Sequence, residues 1–126
     1  LAGSKPMLVS GVDLVEIERM QSVIARYGER FLNRVFTPQE LVEVGGNMSS
    51  LAARFAAKEA VSKALGNGIG KVTWREIEVL RGPARQPILV LSGEADRMAQ
   101  QLGLKQWSIS LSHTQEHAIA LVVAMG

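Results

Sequence analysis

The sequence predicts an α+β fold with a mainly antiparallel sheet packed against helices, and three observations carry that prediction. Helical periodicity dominates the first half of the chain, short β-rich runs dominate the second, and the last two runs flank only residues 113–117 (HTQEH). Segregated helices and strands indicate α+β rather than an alternating parallel architecture. A connection this short joins strands only as an antiparallel hairpin.

Residues 7–12 (MLVSGV) are an apolar run expected to be a strand, closed by Asp13. From 14 to 27 the pattern turns helical: Ile17, Met20, Val23, Ile24 and Tyr27 fall on one stripe, and Gly28 supplies a stop. Residues 31–36 read as an irregular connector. Thr37-Pro38-Gln39-Glu40 has a cap residue, a proline at the first helical position and an acid at the third, and the short helix it opens ends at Gly45-Gly46. Ser49 or Ser50 is the expected cap of a longer helix through Leu65, with Gly66 where a left-handed residue is wanted. Residues 77–80 and 88–91 read as strands around Gly82-Pro83, although 81–87 (RGPARQP) matches no tight hairpin. A helix over 93–102 stops at Gly103, and 107–111 and 118–124 form the closing hairpin. The chain reads as one domain, 1–126, with 1–6 a flexible arm.

Composition narrows the function classes. The chain of 126 residues is 47% hydrophobic and 21% charged, ordinary for a globular domain, and no apolar run approaches the roughly 20 residues of a membrane span. With no cysteine, disulfide and thiolate chemistry are excluded. A net charge of +2 with 5% aromatics argues against nucleic-acid binding, which draws on basic surfaces and stacking platforms. A cytoplasmic enzyme fits these bounds.

The segment 54–70, RFAAKEAVSKALGNGIG, holds the most informative charges. Its Gly66-Asn67-Gly68-Ile69-Gly70-Lys71 loop is not a phosphate-binding P-loop, because Leu65 stands where the first glycine belongs and Val72 where Ser or Thr belongs. Glu59 lies among small and apolar neighbours, with Lys63 one turn on. Either the two form an exposed i,i+4 pair, or Glu59 is a cleft carboxylate beside a cation, with alanines leaving room for a ligand. Asp13 is a candidate second carboxylate at the end of a strand, and equally a cap for the first helix. His113 and Ser112 at the mouth of the hairpin offer donors to phosphate oxygens or are simply solvated. Arg19 and Arg26 share one edge of the first helix, either as a solvated edge or as a dock for an acidic partner. The continuous apolar run 118–124 suggests a strand buried on both faces.

Four blocks taken together resemble one family: Gly11-Val12-Asp13-Leu14-Val15-Glu16, Phe36-Thr37-Pro38-Gln39-Glu40, Arg54 to Ala60 with Ser62-Lys63-Ala64 and Gly66, and Ile109-Ser110-Leu111-Ser112-His113-Thr114. In this order and spacing the chain resembles the holo-acyl-carrier-protein synthases, the short bacterial-type 4′-phosphopantetheinyl transferases, from about Val9 to Ala124. The resemblance implies transfer of the phosphopantetheine arm of coenzyme A to a serine of apo-acyl carrier protein in support of fatty acid biosynthesis, releasing adenosine 3′,5′-bisphosphate. It implies Mg²⁺ on Asp13 and Glu59, with Glu59 also the candidate base, and a phosphate contact from Lys63. Arg54, Gly66, Ser112 and His113 are the implied coenzyme A neighbours, and Arg19, with Arg26 beside it, the implied carrier-protein dock. It also implies a homotrimer with sites at subunit boundaries. A non-catalytic nucleotide- or acidic-protein-binding module on the same scaffold is the alternative, and it has no need of the Asp13–Glu59 dyad.

Overall fold

The computed structural model describes residues 7–66 and 70–126. The flexible arm expected at 1–6 and the centre of the glycine loop at 67–69 lie outside the described residues. In order the elements are β1 (Leu8–Glu16), α1 (Ile17–Tyr27), α2 (Glu29–Val35), α3 (Pro38–Val44) and α4 (Met48–Ala64). A single 3-10 turn (Trp74–Glu76) then leads to β2 (Ile77–Arg81), β3 (Pro87–Leu91), α5 (Gly93–Gln101), β4 (Gln106–His113) and β5 (His117–Met125). β1, β5 and β4 form an antiparallel sheet with β5 central, and β2 and β3 pair as a separate antiparallel hairpin. The expected α+β class is the observed one.

Helix α4 organises the molecule, packing on β1, β5, β4 and β2 and on helices α1 and α3. A helix apolar on nearly all sides belongs in a core: Ala52, Ala53, Ala56, Ala57, Ala60 and Ala64 are all buried. Their smallness serves the sheet. A Cβ on Gly11 of β1 would collide with the Ala60 carbonyl, so helix and strand approach as closely as Gly opposite Ala permits. The expectation that the alanines leave room for a ligand is therefore corrected at Ala60 and Ala64, where close packing fills the space with β1.

The Thr37–Glu40 capping box is present, with the Thr37 side chain accepting from Glu40 N–H and Glu40 accepting from Thr37 N–H. Gly45 and Gly66 are left-handed, φ 57° and 84°, as their helix-ending positions require. Three local expectations change. Residues 31–36 fall largely in helix α2 rather than in an irregular connector. The cap of α4 is Asn47, whose side chain accepts from Ser50 N–H at 2.9 Å, instead of Ser49 or Ser50. Asp13 is no helix cap: β1 continues past it, in register with β5 from Leu8↔Met125 to Glu16↔His117. The helix then starts at Ile17, whose N–H is satisfied by the Glu116 carbonyl at 2.9 Å. The 82–86 connection closes through Gly82 N–H to the Gln86 carbonyl, with Arg85 left-handed at φ 65°.

Glu40 does more than cap. Its Oε1 accepts from Lys58 Nζ at 2.7 Å and its Oε2 from Val79 N–H at 2.9 Å. Lys58 also donates to the carbonyls of Trp74 (3.1 Å) and Ile77 (2.7 Å), so a wholly buried ion pair joins α3, α4 and β2. Burial holds the Lys58 amine below its ordinary pKa, and Glu40 opposes that shift.

Strand β5 is not buried on both faces in this chain. Ala118, Ala120, Val122 and Ala124 face α4 and are buried, whereas Ile119, Leu121 and Met125 are exposed on the outer face. Leu8, Val12 and Leu14 of neighbouring β1 are exposed as well. The uninterrupted apolar run reflects a buried inner face and an apolar outer one.

Candidate active site on the edge of helix α4

The pleat and the helix bring the carboxylates together. Strand β1 runs beside the C-terminal half of α4, so Asp13 comes opposite the last turns of the helix, where Lys63 Nζ donates to Asp13 Oδ1 at 2.9 Å and to the Val12 carbonyl at 3.1 Å. Lys63 therefore pairs with the strand, and no Glu59–Lys63 pair is present among the described residues. Glu59 and Asp13 line one cleft of about 470 Å³ together with Glu16, Arg19, Phe55 and His117. Burial raises the Glu59 carboxyl pKa above its ordinary value, the Asp13 charge raises it further, and Lys63 only partly opposes them.

A cation bound here would lower the cost of holding both carboxylates charged. Two carboxylates facing open cleft suit Mg²⁺, which takes one or two of them and completes its shell with phosphate oxygens and water. Among the described residues no cluster of three or more His, Cys, Asp or Glu could act as an all-protein cage. The donor set fits the ion implied by the resemblance.

The other predicted residues fall into different surroundings. Arg19 lines the Asp13–Glu59 cleft. Arg26 lies two turns further along α1, exposed, over the Tyr27 ring at 5.5 Å. Because α1 stops at Gly28, Arg30 and Arg34 leave its face and line an adjoining cleft with Val23, Tyr27 and Phe31. Gly66 ends the last turn of α4.

His113 and Arg54 belong to a second cleft of about 390 Å³, lined also by Asn47, Ser50, Arg81 and Arg85. Five residues along a helix rotate by about 140°, so Arg54 and Glu59 leave α4 on different sides. Arg54 is itself buried, bound to the Glu43 carboxylate at 3.1 Å and to the Glu40 carbonyl at 3.3 Å. Ser112 and His113 are adjacent in β4, and alternation sends their side chains to opposite faces of the sheet. Within one chain, Asp13, Glu59 and Arg19 thus line one cleft, with Lys63 paired to Asp13 at its edge, and Arg54 and His113 line the other.

Sequence reasoning missed Glu16, Phe55 and His117 as walls of the first cleft and Arg81 and Arg85 as walls of the second. Glu16 and His117 are partners across the β1–β5 ladder. The signal for them was strand register, and stopping β1 at Asp13 hid it.

Fold and site together define a class. Residues 10–122 match the model of the 4′-phosphopantetheinyl transferase superfamily, and the chain belongs to that superfamily. The similarity extends to individual members. A holo-[acyl-carrier-protein] synthase of Herpetosiphon aurantiacus is 50% identical over 95% of this chain and all of its own length. One of Dehalococcoides mccartyi is 52% identical over 94% of this chain and 98% of its own. Among solved structures, the holo-[acyl-carrier-protein] synthase of Helicobacter pylori in complex with coenzyme A superposes with a TM-score of 0.84 at 35% identity, covering 91% of this chain and 98% of that one. The Bacillus anthracis holo-(acyl-carrier-protein) synthase in complex with CoA (3′,5′-ADP) gives 0.79 at 33% identity, covering 97% and 99%.

Proposed function

We propose that the chain, acting as one transferase domain in the cytoplasm, moves the 4′-phosphopantetheine group of coenzyme A onto a serine of apo-acyl carrier protein. The observation that carries the mechanism is the Asp13–Glu59 pair with Lys63 at its edge. The serine oxygen attacks the β-phosphorus of the pyrophosphate; a new P–O bond forms, the bridging P–O bond breaks, and adenosine 3′,5′-bisphosphate leaves. Asp13 and Glu59 would hold Mg²⁺, which when bound would supply positive charge to offset that developing on the pyrophosphate oxygens. Lys63, on a flexible stem, places a second positive charge on those oxygens. Glu59 is the candidate acceptor of the serine proton, as the carboxylate on the cleft wall beside Asp13. Arg19, on the wall of the same cleft, presents a cation to an acidic carrier protein approaching along α1.

We further propose a homotrimer. Two observations support it: the exposed apolar outer face of β1 and β5, whose water contact a second copy would remove, and the division of the site residues between two clefts. A neighbour's Arg54–His113 cleft placed against Asp13 and Glu59 would unite the coenzyme A contacts.

The test is to incubate the protein with coenzyme A, Mg²⁺ and an apo carrier protein and weigh the product. A mass gain of one phosphopantetheine arm is expected, and it disappears when Mg²⁺ is chelated. Glu59→Gln should abolish the gain with the fold intact by circular dichroism; near-normal turnover in that variant removes Glu59 from the chemistry. Coenzyme A binding without any mass gain would instead identify a non-catalytic binding module.

A further inference from the structure

Lys63 makes the only ion pair to the carboxylate dyad among the described residues, and it makes it with Asp13, the carboxylate on the strand. The two partners differ in freedom. The Asp13 side chain is 18% exposed and fixed on a paired strand, whereas that of Lys63 is 53% exposed on a four-carbon stem. One of its two contacts is the Val12 carbonyl, a neutral group. One end of this pair is anchored and the other is free to leave.

We infer that Lys63 is a resident counter-ion of Asp13 that gives up the carboxylate when a divalent cation and a phosphate anion arrive together, coupling the binding of the two. The inference rests on the metal site proposed above. A cation shared by Asp13 and Glu59 sits against the ammonium group that holds Asp13 Oδ1, and like charges cannot share that oxygen without cost. Metal alone must displace Lys63 into water and leave it without an anionic partner. Metal arriving with a pyrophosphate offers the displaced ammonium a phosphate oxygen, so the lost contact is replaced. The phosphate ligand therefore tightens metal binding, and linkage requires the metal to tighten phosphate-ligand binding by the same factor. Lys63 thereby acts as a positioning residue before it acts on the transferred group: it keeps Asp13 oriented toward the cleft and opposes loading of metal without substrate.

Calorimetric titration of Mg²⁺ into the full chain, with and without saturating coenzyme A, tests this without reference to turnover. Wild type is expected to bind Mg²⁺ about tenfold more tightly when coenzyme A is present, within the usual range of such couplings. Lys63→Met, confirmed as folded by circular dichroism, should bind Mg²⁺ alone about tenfold more tightly than wild type and show a smaller coenzyme A effect, the remainder being the direct contact between metal and phosphate. Lys63→Gln serves as a second variant should the first prove poorly soluble. A Lys63 variant that binds Mg²⁺ alone no better than wild type, or that keeps the full coupling, overturns the inference while leaving the metal site standing. If Asp13→Asn and Glu59→Gln bind Mg²⁺ as well as wild type, the metal site itself is wrong and the inference falls with it.

Discussion

Helix α4 carries two lysine–carboxylate pairs on neighbouring turns, and they do opposite things. Lys58 and Glu40 are wholly buried; the ammonium has three acceptors and the carboxylate a further two backbone donors, so nothing is left for a ligand. Lys63 meets Asp13 at the edge of a cleft, with half the lysine in water and, among the described residues, no ion pair to the second carboxylate, Glu59. The same two chemical groups give a structural clamp where burial demands complete satisfaction and a responsive site where exposure lets one partner leave. Burial and the number of partners, rather than residue type, separate scaffold from site.

The comparison breaks most visibly under Glu40→Gln. That change leaves the Lys58 charge buried without a counter-charge, and it should cost about 3–5 kcal/mol of stability by urea denaturation. A loss below about 1 kcal/mol would mean that the clamp is not what holds α3 and β2 to α4. Next in size, Arg19→Glu should raise the KM for the apo carrier protein about tenfold, the scale of a close charge reversal at an interface, with coenzyme A affinity unchanged. Equal effects on both ligands would place Arg19 at the nucleotide instead. Asp13→Asn breaks the other pair and should change stability by no more than about 1 kcal/mol, as for partly exposed ion pairs, in contrast with Glu40→Gln.

The smallest effect on stability belongs to Glu59. Its carboxyl pKa is raised in the metal-free folded protein, by burial and then by Asp13, from an ordinary value of 4.5. The native state therefore holds this proton more tightly than the unfolded chain. That contribution favours folding below the unfolded value and is lost as pH rises through the folded one. At pH 7 the ionised Glu59 weighs against the metal-free fold, so Glu59→Gln should melt slightly higher than wild type, with the difference vanishing near pH 4. A variant that melts lower at pH 7 would show that the Glu59 charge is already compensated without metal.

Much of the helical half was legible because its signals are local. The Thr37–Glu40 box, Gly45, Gly66 and the closing hairpin each depend on a few adjacent residues, and each is present. Asp13-Leu14-Val15-Glu16 has the spacing of a helix cap, yet pairing with β5 keeps it in the strand to Glu16. Asn47 caps α4 in place of the nearby serines, and Ala60 and Ala64, which resembled ligand space, are packed on Gly11. At Asp13 and at the alanines a contact distant in sequence outweighed the local pattern, whereas the cap of α4 was a choice among neighbouring residues.

The sequence by itself determined the fold class, the family resemblance and the residue types of the site: two carboxylates, a lysine and an arginine-bearing helix edge. Periodicity, caps and motif spacing are properties of neighbouring residues, and they survive without coordinates. Only the tertiary structure decided that Lys63 turns to Asp13 rather than to Glu59, that Lys58 and Glu40 are a buried clamp, and that Arg54 and His113 occupy a separate cleft. Those outcomes follow from which strand lies beside α4 and how closely it packs, which is set by long-range pairing and burial that one-dimensional spacing does not encode.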